Sequence, residues 1–248
     1  GSRGNATVVE SGQTRVLVDC GFSLADTERR LARLGIEGDS ISAIVVTHEH
    51  GDHLKGVAKL ARKYQLPVWM TPGTHSVWRE RDSVADVELF SPHEAFALQD
   101  IEMLPYPVPH DAREPCQFVV SDGALRLGIL SDVGRVTPHI RECIDACDAL
   151  LLECNHDPQM LTVGPYPASV KQRVGGIKGH LSNNQAAAFL STLNTTTLQH
   201  IVVAHLSENN NRVDLAQAAL AEALNCTPDW VATADQKLGL AWRTITTS

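Results

Sequence analysis

The chain has 248 residues, of which 43% are hydrophobic and 20% are charged, and its formal net charge is −8. This composition excludes an intrinsically disordered chain, and the apolar runs are too short to span a bilayer. The acidic balance weighs against a nucleic-acid-binding protein, although bound divalent ions would offset part of that charge. The six cysteines form no C-x-x-C pair, so we expect reduced thiols, with Cys143 and Cys147 in the core.

Hydrophobic periodicity predicts strands and helices that alternate along the chain. A hairpin around residues 11–13 comes first, followed by a helix that Ser23 caps and Gly35 ends. The remaining predicted elements are strands over 41–47, 67–70, 125–130, 149–153 and 201–204, short proline-broken strands over 87–120, helices from residue 54, near 75–81 and over 138–147, 182–193 and 213–224, and a closing hairpin around 230–242.

No linker-like segment divides these elements. Strands that alternate with helices form sheets covered by helices, and neither an all-β nor an all-α body fits the pattern. The sequence therefore predicts one domain of α/β (α+β) class over residues 1–248.

Four side chains of metal-ligand type lie within six residues, directly after the strand over 41–47: His48, His50, Asp52 and His53. At a strand-to-helix turn they converge only if the loop folds around a positive charge. Imidazole suits Zn²⁺, Mn²⁺ or Fe²⁺, and carboxylates suit bridging or harder ions. The alternative is a polar loop whose histidines only form hydrogen bonds. That alternative would explain a single histidine, but it explains four ligand-type side chains at this spacing poorly.

Three further candidates, His110, Asp132 and His205, each follow a predicted strand or extended segment. Open α/β architectures place their sites at the carboxyl ends of strands. Each residue alone has an ordinary explanation, as a loop residue or a helix cap. Together with the four side chains above they complete two coordination sets, so we predict a site for two divalent metal ions.

The H-x-H-x-D-H motif with a later His, Asp and His resembles the metallo-β-lactamase family. The resemblance implies a four-layer αβ/βα sandwich with two metal ions joined by one bridging carboxylate. The ligands it implies are His48, His50 and His110 for one ion, Asp52, His53 and His205 for the other, and Asp132 for both.

Other segments are similar to the YycJ/WalJ branch of this family, at residues 1–5, 109–112, 152–157, 164–167, 179–183 and 205–210. The chain departs from the branch at its start, where the first β-strand of the family is absent or truncated. The branch is bacterial and cytoplasmic. The resemblance implies a 5′→3′ DNA exonuclease, with DNA as substrate and no membrane partner.

Two adjacent divalent ions generate hydroxide from water and neutralise the attacking and leaving oxygens of a phosphodiester. We predict that Asp52 ligates one metal and accepts the proton of that water. The leaving alkoxide needs a proton donor, and His180 is the candidate. It precedes Ser182 and Gln185, which fit a capping box at a helix N-terminus, where an anion such as phosphate is stabilised.

Glu153 ends the strand over 149–153, where it can orient and charge His180. The pair resembles the proton-donor pair of ribonuclease Z-type enzymes, although Leu181, Ser182 and Asn183 replace the residues typical of that motif. The ordinary alternatives are a helix-capping imidazole and an edge-strand carboxylate.

Lys171, Arg173 and Lys178 cluster shortly before His180, and we predict that they bind substrate phosphates, with a solvated charged face as the alternative. Two other functions stay open. One is hydrolysis of a small ester, thioester, lactam or cyclic phosphodiester at the same site. The other is a metal-binding regulatory protein of a two-component signalling system, which an open site disfavours because structural zinc is normally closed by four protein ligands. The ligand types fit Zn²⁺, Mn²⁺ and Fe²⁺ alike, and the oligomeric state is not predicted.

Overall fold

The computed structural model describes residues 1–79, 82, 84 and 86–247, which form two β-sheets flanked by helices. In spatial order the first sheet holds β1 (Thr7–Ser11), β2 (Thr14–Val18), β3 (Ala43–Val45), β4 (Val68–Met70) and β5 (Val87–Leu89). The order in the second sheet is β12 (Ala232–Thr233), β11 (His200–Ala204), β10 (Ala149–Glu153), β9 (Arg126–Leu130), β8 (Cys116–Ser121), β7 (Ile101–Pro107) and β6 (Phe96–Leu98).

The helices are α1 (Leu24–Arg33), α2 (Gly51–Leu54), α3 (Val57–Tyr64), α4 (Pro72–Trp78), α5 (Pro138–Ile144), α6 (Pro158–Val163), α7 (Ala168–Val174), α8 (Asn183–Leu190) and α9 (Val213–Leu224). Among the described residues, none of these helices has the length and apolar character that crossing a membrane requires.

Three apolar clusters hold the layers together. The central one joins the facing sides of the two sheets, with Val18 and Val45 from the first sheet against Phe118 and Ile129 from the second. A second cluster packs helices α1 and α3 on the outer face of the first sheet, and a third packs α5, α8 and α9 on the second. The layer order is therefore helix, sheet, sheet, helix, which confirms the predicted four-layer sandwich.

The strand directions bring distant loops to one edge. Strands β2 to β5 run parallel to one another, and so do β9 to β12. The carboxyl ends of parallel strands lie at the same edge of a sheet. The loops that follow β2, β3, β9, β10 and β11 therefore meet.

Local signals predicted several boundaries well. Helix α8 begins after Ser182, whose side chain and Gln185 form the predicted capping box. The predicted helix from residue 54 is α3, which begins at Val57 after the short helix α2. Gly56 between them packs against Phe22, whose carbonyl oxygen would lie 2.2 Å from a Cβ there. The six cysteines are free thiols, and Cys147 is buried as predicted.

The predicted closing hairpin around 230–242 is present as a tight turn, in which Asp235 and Gly239 exchange backbone hydrogen bonds in an antiparallel bridge. The strand before it, β12, pairs in parallel with β11. The segment before His180 also contains α6 and α7, which we did not predict. The helix predicted near residues 75–81 is α4, which ends at Trp78, and residues 80 and 81 lie outside the described residues.

Candidate metal centre

The seven predicted ligands meet at the edge where the strands end. His48, His50, Asp52 and His53 lie on the loop and short helix after β3. The other three follow β7, β9 and β11, and they are His110, Asp132 and His205. Six of these side chains are at least three-quarters buried, so their polar atoms face one another and not bulk water.

Three imidazoles form the first cluster. The Nε2 atom of His48 lies 3.1 Å from Nδ1 of His50, which in turn lies 3.2 Å from Nε2 of His110. Neutral imidazoles can share only one proton in each such pair. A cation at the point they face would accept all three lone pairs.

The second cluster contains Asp52, His53 and His205. The Nε2 atoms of the two histidines lie 3.6 Å and 3.5 Å from Oδ2 of Asp52. Asp132 lies between the clusters, with Oδ2 3.3 Å from His53 Nε2 and Oδ1 3.8 Å from His110 Nε2. Within each cluster the ligand atoms lie within 4.8 Å of one another.

Three of these histidines form a hydrogen bond through Nδ1, the ring nitrogen that points away from the clusters. His53 Nδ1 donates to Asp19 Oδ2 (2.7 Å), His110 Nδ1 to the Gly179 carbonyl (3.2 Å), and His205 Nδ1 to Glu153 Oε1 (2.9 Å). Each bond places the Nδ1 proton outward and directs Nε2 inward, as in metal-ligating histidines. The inward Nε2 of His205 is buried and accepts no hydrogen bond in the described part of the chain. This donor set fits divalent metal ions.

The charges inside the site are coupled. Burial opposes the charged forms of His53 and Asp132. Nevertheless the carboxylates of Asp132 and Asp19 raise the pKa of His53 well above its usual value. The His205 and His53 rings likewise hold the pKa of Asp132 well below its usual range. Burial lowers the pKa of His48, and the neighbouring His53 adds to that effect. A metal ion that binds His53 must therefore displace a proton.

Asp19 is a supporting residue that our sequence analysis missed. Its buried carboxylate accepts hydrogen bonds from His53 and from the backbone and hydroxyl of Thr47, all between 2.7 and 3.1 Å. Asp19 directly follows β2, so the rule that found Asp132 and His205 could have found it. All three residues have a left-handed φ, between 54° and 62°. Such strained conformations cluster at functional sites.

We expect Asp19→Asn to weaken metal binding by about 10–100-fold, because the amide cannot supply the charge that orients and polarises His53. Competition with a chromophoric chelator measures the affinity. Thr47→Val is the comparison variant, since it removes a neutral partner of the same carboxylate together with a 2.9 Å contact to His48 Nδ1, and it should weaken metal binding less. An unchanged affinity in Asp19→Asn would show that the carboxylate serves the fold and not the metal.

Asn5, near the start of the chain, hydrogen-bonds to Asp52 on the short helix after β3. Asn5 donates from its backbone to the Asp52 carbonyl at 2.8 Å, and from Nδ2 to the Asp52 carboxylate at 3.1 Å. Gly21 makes this approach possible, because a Cβ there would lie 1.6 Å from the Asp52 carbonyl oxygen. The Asp52 side chain is thereby held at the mouth of the site.

Glu153 and His180 form the predicted pair beside the clusters. Glu153 is fully buried, and its Oε1 accepts from His180 Nδ1 at 2.8 Å. Its other oxygen accepts from the backbones of Val133 and Leu181. Burial opposes both charged forms, but each partner stabilises the other. The carboxylate raises the pKa of His180 to about 9, and the imidazole lowers the pKa of Glu153 to about 2. The buried carboxylate therefore favours the protonated form of His180.

A cleft of about 230 Å³ opens over the site, and its walls include His50, Asp52, Tyr166, Arg173, His180 and His205. Of the three predicted phosphate-binding cations, only Arg173 lines this cleft, where it donates to Asp111 at 3.2 Å. Lys171 instead donates to the Thr162 carbonyl at 2.7 Å. Lys178 is exposed beyond the cleft wall. The unpredicted helix α7 thus separates residues that are close in sequence.

Residues 14–205 match the family model of the β-lactamase superfamily domain, so the chain belongs to that family. Fold and family together define the protein as a metal-dependent hydrolase. This confirms the resemblance inferred from the H-x-H-x-D-H motif.

Two relatives match most of the chain. The exodeoxyribonuclease YycJ of Bacillus anthracis is 34% identical over 227 residues, which cover 90% of this chain and 86% of that protein. The exodeoxyribonuclease WalJ of Streptococcus pneumoniae is 32% identical over 256 residues, which cover all of this chain and 91% of that protein. The metallo-β-lactamase fold protein YhfI of Bacillus subtilis has the same fold, with a TM-score of 0.73 at 15% identity over 97% of this chain and 92% of YhfI.

Proposed function

We propose that this protein is a phosphodiesterase with two divalent metal ions that degrades DNA from its 5′ end. The observation that carries the proposal is the Glu153–His180 pair beside the metal clusters. Hydrolysis of a phosphodiester expels an alkoxide, which needs a proton, and His180 lines the cleft wall with Nδ1 2.8 Å from the Glu153 carboxylate, which favours the protonated ring. The two relatives named exodeoxyribonucleases support DNA as the substrate.

The ligand roles form part of this proposal. His48, His50 and His110 would hold one ion, Asp52, His53 and His205 the other, and Asp132 both. When bound, divalent ions such as Zn²⁺, Mn²⁺ or Fe²⁺ supply Lewis acidity that activates water and neutralises the charge of the phosphate.

The protein's own groups then move the protons. Asp52 lies at the mouth of the site with its side chain 22% exposed, where it can accept the proton of the attacking water. Glu153 holds Nδ1 of His180, which leaves the opposite ring nitrogen to protonate the leaving oxygen. Arg173 at the cleft wall provides a cation for a substrate phosphate, in exchange for its bond to Asp111.

The experiment compares linear DNA labelled at its 5′ end with the same DNA labelled at its 3′ end, each incubated with protein loaded with Mn²⁺ or Zn²⁺. We expect the 5′ label to appear at once in mononucleotides and the 3′ label to remain on progressively shorter strands. Cleavage of closed circular DNA would contradict exonuclease action. Hydrolysis of p-nitrophenyl esters without DNA cleavage would support a small substrate, and metal binding without any hydrolysis would support a regulatory protein.

A further inference from the structure

Two loops touch through their backbones at one side of the metal centre. A Cβ at Gly134 would lie 2.5 Å from the Gly179 nitrogen and 2.4 Å from the carbonyl carbon of Ile177, so only glycine permits this contact. Gly134 follows Asp132 by two residues, and Gly179 directly precedes His180. The joined loops therefore border both the metal cluster and the proton donor.

These loops carry two exposed cations, Arg135 and Lys178, next to the contact. Within the part of the chain that the structure describes, neither makes an ion pair, whereas Arg173 in the cleft is paired with Asp111. Ile177, which directly precedes Lys178 and whose backbone lies against Gly134, is 66% exposed.

Two exposed cations beside an exposed apolar side chain suit a nucleic-acid strand, which carries both charged phosphates and apolar sugar and base surfaces. Unpaired cations raise the local potential in a protein whose net charge is −8, and phosphate contacts supply most of the affinity for nucleic acid. A single exposed isoleucine is ordinary on a protein surface. Next to Lys178, and in contact with the loop that carries Arg135, it offers the apolar contact that sugars and bases need between phosphates.

We propose that Arg135, Ile177 and Lys178 form a rim that binds the nucleic-acid strand beside the scissile phosphodiester. The two cations hold phosphates on the strand, and Ile177 packs against the sugar or base between them. The inference rests on the proposed nuclease function. It adds Arg135 and Ile177 to the substrate-binding residues, and it places Lys178 outside the cleft on the path of the strand.

The test uses the charge reversals Arg135→Glu and Lys178→Glu, alone and together, and the apolar change Ile177→Ser. Arg243→Glu is the matched control. Arg243 is an exposed cation beside Thr244, whose carbonyl accepts from His200 at the start of β11, the end opposite His205. For each preparation the rate of DNA hydrolysis is divided by the rate on bis-p-nitrophenyl phosphate, which has no second phosphate for the rim cations to bind.

We expect this ratio to fall about tenfold for each charge reversal, and to stay at the wild-type value for Arg243→Glu. Removing one phosphate contact should also reduce the slope of log K against log salt for DNA binding by about 1. Ile177→Ser should lower affinity without changing the slope, because it removes no charge. Arg135→Gln and Lys178→Gln, milder changes at the same exposed positions, should shift the slope in the same direction.

If the rim variants keep the rate ratio and the salt slope of the wild type, the rim is overturned. In that case hydrolysis of DNA by the wild type would still support the proposed function. Hydrolysis of bis-p-nitrophenyl phosphate without DNA hydrolysis by the wild type would overturn both. A fall in the ratio for Arg243→Glu equal to that of the rim variants would show a general charge effect, and would also overturn the rim.

Discussion

Replacing His180 with alanine should lower turnover of a DNA phosphodiester by about 10²–10⁴ while metal content stays intact. This loss corresponds to roughly 3–5 kcal/mol of transition-state stabilisation. The expectation follows from geometry. His180 is held by Glu153 at 2.8 Å, lines the cleft, and is surplus to the two proposed coordination sets.

The leaving group distinguishes proton donation from other roles of His180. The loss should shrink on bis-p-nitrophenyl phosphate, because a phenolate leaves without a proton. Glu153→Gln should show the same dependence more weakly, since Glu153 acts through the imidazole. Glu153 also accepts from His205, so its variant needs a metal analysis alongside the rates.

Two results would contradict this role. Equal losses on both substrates would mean that His180 binds phosphate or supports the structure. A lost metal equivalent would make His180 a ligand, because its ring, Glu153, Asp132 and His205 also lie close enough to share one ion.

Asp132→Ala should remove both metal ions or leave one loosely held ion, and hydrolysis of aryl and DNA diesters should fall together. Asp132 is 2% exposed, and its carboxylate contacts both clusters, with Oδ2 3.3 Å from His53 Nε2, and Oδ1 3.4 Å from His205 Nε2 and 3.8 Å from His110 Nε2. In the proposed coordination both ions would lose a ligand without it, and the buried imidazoles would lose the negative charge beside them.

Metal analysis of the purified variant measures the outcome. Asp111→Ala is the matched control, because Asp111 lies 3.4 Å from His110 Nε2 but belongs to neither proposed coordination set. It should retain both equivalents. Two equivalents retained in Asp132→Ala would remove Asp132 from the bridging position.

The sequence by itself determined the features that depend on near neighbours. Ser182 and Gln185 close their capping box within one helical turn, so their spacing predicts the start of α8. The four side chains from His48 to His53 share one short loop, and His110, Asp132 and His205 share a position relative to strand ends. Parallel strands end at one edge of a sheet, so that shared position was enough to predict that these residues meet.

The tertiary structure alone decided which distant partners support those residues. Asp19 reaches His53, and Asn5 reaches Asp52, across contacts that no spacing in the sequence encodes. Lys171, Arg173 and Lys178 are neighbours in sequence, yet α7 and the loop after it direct them to three different surroundings. Strand β12 likewise joins β11 in parallel, and the predicted hairpin is limited to the turn that the Asp235–Gly239 bridge closes. Local patterns specify periodicity and caps, whereas long-range contacts depend on how whole elements pack.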